Sequence, residues 1–292
     1  MTTYAVTGAT GPFGRLAIGA LRAHGVQPGD LVAIARTPAK AADLAEAGIE
    51  VREGDYSRPE TLPAALAGVD RLLLVSGSEV GQRIAQHKAV IDAAQAEGVS
   101  HLAYTSILSA DTTSLALAPE HRETEAMIRA SGLAHTILRN SWYIENYTAS
   151  LSQYLAAGEI LGAGGAGRIA GATRADYAAA AAASLTDPGP DNAVYELGGT
   201  PFTLAELAAT ITEVTGTQVV YRDVSVDELA ATLRSAGLDA DTAGFVASLD
   251  GSIAEGALDT DSDDLRRLTG KAGTPVADAV RAAHVGASQA AE

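Results

Sequence analysis

Val6-Thr7-Gly8-Ala9-Thr10-Gly11-Pro12-Phe13-Gly14 is the stretch whose reading decides the fold. It follows a short apolar strand, Tyr4 to Val6, and opens into the helical pattern Arg15 to Ala23, so three glycines stand where a strand turns sharply into a helix. Gly8 permits the tight turn, Gly11 removes a side chain that would hold a pyrophosphate off the backbone, and Gly14 lets the helix pack closely on the strand. The N–H groups of the first helical turn attract the anion, with Thr10 and Phe13 beside them as further contacts. Glycines also end strands for purely structural reasons. The strand before and the helix after favour the phosphate-binding reading.

Working outward, the same alternation repeats. Leu31 to Ala35 reads as a second strand ended by Arg36, with Thr37-Pro38 as N-cap and first residue of a helix that stops near Gly48. Ile49 to Arg52 is a third strand. Ser57 and Glu60 have capping-box spacing ahead of Leu62 to Leu66. Arg71 to Val75 is a continuous apolar run after its first residue, suited to a strand buried on both faces of a parallel sheet. Ile84 to Ala96 is helical, His101 to Thr105 a fifth strand, Pro119 to Arg129 a helix and His135 to Leu138 a sixth strand.

The rhythm changes after Asn140. Trp142 to Ala156 reads as helical, Gly162 to Gly167 as a glycine-rich turn, and Thr173-Arg-Ala-Asp176 starts an alanine-rich helix ending at Asp187-Pro188. Val194 to Leu197 and Val219 to Val224 read as strands, and Thr203/Glu206 and Ser225/Glu228 again have capping-box spacing. Gly286 to Glu292 is small and polar and is expected to fray. The expected fold class is α/β: a Rossmann-type doubly wound parallel sheet with a smaller C-terminal α+β lobe. Residues 1–150 would form an NAD(P)-binding domain and 151–292 the smaller substrate-side lobe, with the helix from Arg174 to Thr186 able to pack back on the first domain.

Composition narrows the function. Hydrophobic residues make up 47% and charged residues 19%, a globular balance, and no run of eighteen apolar residues offers a bilayer span. Residue 4 already begins the first strand, with no signal core before it, so a cytoplasmic protein is expected. Without cysteine there is no disulfide framework, zinc–thiolate site or thiol nucleophile. A net charge of −16 works against nucleic-acid and anionic-membrane binding. No His/Asp/Glu cluster has metal-ligand spacing, and the acidic run from Asp259 to Asp264 reads as a solvated helix start.

A dinucleotide fold that binds NAD usually has Asp or Glu at the end of its second strand, accepting from the ribose 2′-hydroxyl. Here that position holds Arg36, the only charge the sequence offers there; a guanidinium pairs with a phosphate, so NADPH is favoured and NADH is expected to bind more weakly. Arg36 as a solvated strand-end residue is the alternative, and Lys40 could add charge one turn on. Asp55-Tyr56 after the third strand would lie near the adenine, although Asp55 is also a natural turn residue. Ser76 and Gly77 follow the fourth strand, beside the pyrophosphate and ribose, and Thr105 follows the fifth near the nicotinamide.

Several stretches together resemble one family. Thr7 to Gly14, Gly54-Asp-Tyr56, Glu120-His-Arg-Glu-Thr-Glu125, Leu138-Arg-Asn-Ser-Trp-Tyr-Ile-Glu-Asn-Tyr147 and Ala172-Thr-Arg-Ala-Asp-Tyr177 look like the type 2 NAD(P)H:quinone oxidoreductases, atypical short-chain dehydrogenase/reductase proteins of the NmrA-like group. The resemblance runs from about residue 3 to about 280. It implies a two-lobed, flavin-free and metal-free oxidoreductase with NADPH in the N-terminal lobe and a quinone in the cleft between lobes. Pro12 and Phe13 stand where many relatives carry Gln-Leu, which leaves the glycines intact. Triphenylmethane-dye reductases share much of the pattern, so a dye or enone acceptor is the enzymatic alternative. A nonenzymatic NADP-binding redox sensor is the other. A monomer or a homodimer is expected.

The residues bear on the chemistry as well. The Tyr-x-x-x-Lys pair of alcohol–ketone dehydrogenases is missing: four residues after Tyr104, Tyr143 and Tyr177 stand Leu108, Tyr147 and Ala181. Hydride transfer to an electron-poor ring demands less of the protein, chiefly that two rings be held in contact. Only one Trp, nine Tyr and three Phe occur in the chain, yet Trp142, Tyr143, Tyr147 and Tyr154 cluster within residues 142–154. They could stack a flat quinone or form the hydrophobic seam between lobes. Asn140 and Asn146 could orient a carbonyl oxygen, and Tyr143 joins Asn140 as a catalytic candidate. His121, with Glu125 one turn later to orient it, could serve as an acid or be a helix-terminus histidine.

Overall fold

The protein is described by a computed structural model covering residues 1–187 and 189–289. Seven strands form one all-parallel sheet: β1 (Tyr4–Val6), β2 (Leu31–Ala35), β3 (Glu50–Glu53), β4 (Arg71–Leu74), β5 (His101–Ile107), β6 (Ala134–Asn140) and, after β7 (Glu159–Gly162) of a second sheet, β8 (Ala193–Leu197). Their order is β3-β2-β1-β4-β5-β6-β8. β1 lies between β2 and β4, Val6 opposite Ala33 on one side and Leu73 on the other, so the strand order reverses there. That reversal opens the crevice at the carboxyl end of β1, where the glycine turn lies.

Both faces of the sheet are covered, which is why its central strands are largely apolar, whereas the edge strand β3 reads Glu-Val-Arg-Glu. On one face the Pro12–Ala23 helix packs along the Arg174–Thr186 helix, whose Ala180, Ala181 and Ala182 are fully buried. Small side chains let the two backbones approach. On the other face the Arg83–Ala96 helix lies between Leu62–Leu66 and Ala118–Ala130, over Leu72, Leu74 and Tyr104. The chain beyond residue 150 therefore contributes to the large sheet through β8, which pairs with β6, and through the alanine-rich helix. The rest of it builds a separate core of Leu204, Leu207, Ile211 and Ile253 around a two-stranded parallel sheet of β7 and β9 (Val220–Asp223).

Local signals hold unevenly. Thr173 with Asp176 and Thr203 with Glu206 form reciprocal capping boxes, whereas Ser225 only accepts from the Glu228 amide. Ser57 caps nothing: its amide donates to Asp55 Oδ1 at 2.9 Å, closing a tight side-chain turn, and its Oγ accepts from Gln86. Thr37 makes no side-chain cap, and a 3₁₀ turn, Pro38–Ala41, precedes a short helix, Ala42–Glu46. The expected helix from Trp142 to Ala156 is two short ones, Glu145–Thr148 and Leu151–Ala157. Tyr143 is drawn into a parallel bridge with Ala172 instead, through Ala172 N–H to Trp142 O and Ile144 N–H to Ala172 O, with Ile144 already capping the next helix. The Val276–Gln289 helix includes the start of the tail expected to fray, and 290–292, like Pro188, lie outside the described residues.

Candidate dinucleotide-binding cleft

The turn after β1 is shaped by what its glycines exclude. Gly8 takes φ +59, in the left-handed region, and the Gly11 amide donates back to Gly8 O at 2.9 Å. A Cβ on Gly14 would stand 2.3 Å from Gly8 O and 2.9 Å from Ala9 Cα, so the helix can meet the strand only with glycine there. On Gly11 a Cβ would come 3.3 Å from the same oxygen. Pro12 takes the first helical position, where it has no N–H to lose, and helix geometry leaves the Phe13 and Gly14 amides without intrahelical partners. No acidic residue stands in that first turn to oppose an anion. These features fit a dinucleotide pyrophosphate.

A cleft of about 530 Å³ opens on this turn. Gly8, Thr10, Gly11, Phe13, Gly14, Arg36, Asp55, Tyr56, Ser76 and Gly77 all line it. At one end the Tyr56 hydroxyl reaches Val75 O at 2.9 Å, and Thr7 Oγ1 accepts from the Val75 amide, which pins the ends of β1, β3 and β4 together. Arg36 stands at the mouth, 68% exposed, and is not the only charge there. Its Nη1 lies 3.2 Å from Glu79 Oε1, brought across the cleft by the loop after β4. Lys40 is exposed and is not among the lining residues.

Behind the lining is a buried polar layer. Thr105 does not face the cleft; it is buried, and its Oγ1 accepts from the Ser76 amide at 2.8 Å, so it acts through the loop that does. His87 Nε2 accepts from the Gly77 amide at 2.9 Å, while its Nδ1 lies 3.0 Å from Thr124 Oγ1. Burial holds the His87 pKa down at about 4, helped by the Arg83 charge, so the ring is neutral and keeps its acceptor. His121 is only 4% exposed, bonded through Nδ1 to the Tyr104 hydroxyl at 2.7 Å, and burial lowers its pKa to about 3. The expected contact with Glu125 is not formed. Glu125 is claimed by Ser106, Arg129 and Arg139.

The opposite end of the cleft is aromatic and cationic. The Arg174 guanidinium sits 4.5 Å over the Tyr143 ring, and Phe13 is 6.2 Å from it on another side. Tyr143 is half-buried; burial pushes its phenol up to about 12, with Arg174 and Asn140 pulling the other way, so it keeps its proton at neutral pH. Asn140 Oδ1 is buried with no partner among the described residues. Asn146 is exposed, its Oδ1 accepting from Arg174 Nη2 at 3.0 Å. Trp142 and Tyr147 do not line this cleft: both pack on the C-terminal core with Tyr154, Tyr147 edge-on to Phe202 at 6.2 Å. Arg174 and Glu79 were not singled out from the sequence. The only signal for Arg174 is its place after the Thr173 cap, which fixes it in the first turn of its helix.

Among the described residues no group of three His, Asp or Glu could hold a metal ion, and no helix is long and apolar enough to cross a membrane.

Comparison with known proteins meets this geometry at the glycine turn. The chain matches the NAD(P)H-binding family over residues 8–188. It is 49% identical to quinone oxidoreductase 2 of Escherichia coli K12 over 277 residues, 94% of this chain and 96% of that protein. The chain belongs to the NmrA-like, type 2 quinone oxidoreductase family. Within the family, the crystal structure of the NADPH-dependent E. coli quinone oxidoreductase complexed with NADPH superposes with a TM-score of 0.93 at 48% identity, covering 97% of this chain and 99% of that one. The triphenylmethane reductase of Citrobacter sp., complexed with NADP(H), follows at a TM-score of 0.91 and 38% identity, covering 96% and 99%.

Proposed function

We propose that the protein is an NADPH-dependent reductase that delivers hydride to a quinone without a bound flavin, as a cytoplasmic monomer or homodimer. The observation that carries this reading is the continuity of the cleft, from the glycine turn at its middle to the Tyr143 and Arg174 pair at one end and Arg36 at the other. NADPH supplies the hydride. The Phe13 and Gly14 amides would hold its pyrophosphate, Arg36 its 2′-phosphate, and Asp55 and Tyr56 would flank the adenine. Residues 1–150 would carry the dinucleotide and 151–292 the acceptor side, with Arg174 reaching back from the second to the first.

The chain's own contribution to reduction is positioning and charge. A quinone gains negative charge on its oxygens as it accepts hydride, and the Arg174 guanidinium beside Tyr143 would stabilise that charge. Tyr143, protonated at neutral pH, can donate a hydrogen bond to the same oxygen, while the buried Asn140 side chain hydrogen-bonds the Tyr143 phenol from behind. Trp142, Asn146 and Tyr147 would shape the acceptor side. His121, neutral and enclosed with Tyr104, supports the sheet from behind in this reading rather than donating a proton.

The test is NADPH oxidation by the purified protein against quinones, triphenylmethane dyes, enones and ketones. Quinones are expected to turn over fastest and ketones not at all. The likeness to the Citrobacter reductase favours dyes as the second reading, and turnover of dyes alone would select it. No turnover with any acceptor would leave a dinucleotide-binding sensor.

A further inference from the structure

Across the mouth of the cleft runs a chain of polar side chains from three separate strand ends. Arg36 follows β2, Ser57 follows β3 by a short turn, and Glu79 stands in the loop after β4. Arg36 Nη1 lies 3.2 Å from Glu79 Oε1, and the other carboxylate oxygen accepts from Gln86 Nε2 at 2.9 Å. Gln86 is 7% exposed and its Nε2 also donates to Ser57 Oγ at 3.0 Å, so the amide that aims Glu79 is held in place. Glu79 is thus directed at Arg36 from a fixed anchor.

We propose that Glu79 is a specificity-determining residue: it occupies Arg36 in the free protein and sets how strongly a 2′-phosphorylated dinucleotide is preferred over an unphosphorylated one. This rests on the reading above that Arg36 faces the 2′-phosphate. A phosphate arriving at Arg36 displaces one carboxylate from the guanidinium and then lies beside it, like charge against like charge. A 2′-hydroxyl arriving there meets an acceptor instead. Folds that bind NAD place that carboxylate at the end of the second strand. Here it comes from the loop after the fourth, 43 residues further along the chain. Both side chains are about half exposed or more, so the ion pair is weak enough for a phosphate to displace and the effect on affinity is moderate.

The experiment compares wild type, Glu79→Gln, Arg36→Ala and the double variant. Dissociation constants are measured by fluorescence titration for NADPH and NADH, and by calorimetry for adenosine 2′,5′-bisphosphate and adenosine 5′-monophosphate, at low and high salt. Glu79→Gln keeps the side-chain shape and sits at the surface, so its folding is unaffected. It is expected to raise the NADPH-to-NADH affinity ratio by about fivefold, to raise the ratio for the two fragments alike, and to lose this effect at high salt and in the Arg36→Ala background. If Arg36→Ala weakens NADPH while Glu79→Gln leaves every ratio unchanged, Arg36 reads the phosphate and the role of Glu79 is overturned. If neither substitution changes a ratio, the 2′-phosphate lies elsewhere and both readings are overturned.

Discussion

The Gly77 amide donates to Nε2 of His87, so a neutral imidazole holds the cleft wall that follows β4. Protonation would put a hydrogen on the nitrogen that has to accept. Three of the buried histidines have lowered pKa values, His87 and His101 at about 4 and His121 at about 3, burial being the main cause in each. Between those values and about 6.5 the unfolded chain binds protons that the folded chain does not, so stability rises with pH. It is fully present above about pH 6.5 and is lost as pH falls toward 4. The melting temperature should drop between about pH 7.5 and about pH 5. His121→Gln should flatten that drop, and an unchanged slope would remove His121 from this account.

Gly11→Val tests the turn. A branched side chain there crowds Gly8 O, 3.3 Å from the position of a Cβ, and projects toward the place of the pyrophosphate. NADPH affinity is expected to fall by about a hundredfold or more while circular dichroism stays nearly unchanged. Gly14→Ala should behave differently, because its Cβ would run into backbone at 2.3 Å: a lower melting temperature is expected together with the lost affinity. A folded Gly11→Val protein that binds NADPH normally would show that the anion does not lie on this turn.

Arg36→Asp should reverse the cofactor preference. A carboxylate repels a 2′-phosphate and accepts from a 2′-hydroxyl. The wild-type preference for NADPH is expected at about tenfold in kcat/KM, equivalent to about 1.4 kcal/mol, modest because Arg36 is largely exposed and already faces Glu79. The ratio of catalytic efficiencies with the two cofactors, at two ionic strengths, measures it. A wild-type ratio near one would be the contrary result.

Alanine at Trp142 or Tyr147 separates two roles for the aromatic cluster. If they hold the acceptor, KM for quinone should rise by about tenfold with NADPH affinity nearly unchanged. Both also pack on the C-terminal core, so part of the cost will appear as a melting temperature lower by a few degrees. Equal loss in quinone and NADPH parameters, accompanied by that drop, would make the cluster a seam only.

The sheet was legible because parallel strands buried on both faces tend to be apolar runs, as Leu31 to Ala35 and Leu72 to Leu74 show, and because Ile137-Leu138 keeps that signal at the centre of β6. β7 was not, since Glu159-Ile-Leu-Gly162 is short and owes its existence to pairing with β9, far along the chain. Trp142 and Tyr143 have helical neighbours yet are extended, for the same reason: Ala172 supplies the backbone partners. Within the site, the glycines, Arg36 and Tyr56 follow from local rules about strand ends. Thr105 turns inward because β5 runs on to Ile107, and His121 does so from the buried face of the Ala118–Ala130 helix. Glu79 enters only through the approach of the loop after β4, and Arg174 only through the packing of a helix far along the chain.

The Arg174–Thr186 and Pro12–Ala23 helices lie against each other through alanines, and both begin at the cleft: Arg174 opens one, Phe13 stands in the first turn of the other, and Tyr143 touches both. The glycine turn and the Tyr143 end of the cleft are therefore mounted on one pair of closely packed helices. Packing of this kind couples the two ends, so a change at one helix start is felt at the other. The exposed Arg36 and Glu79 side chains at the rim are the part of the cleft with room to rearrange, and exposed side chains change rotamer within picoseconds to nanoseconds.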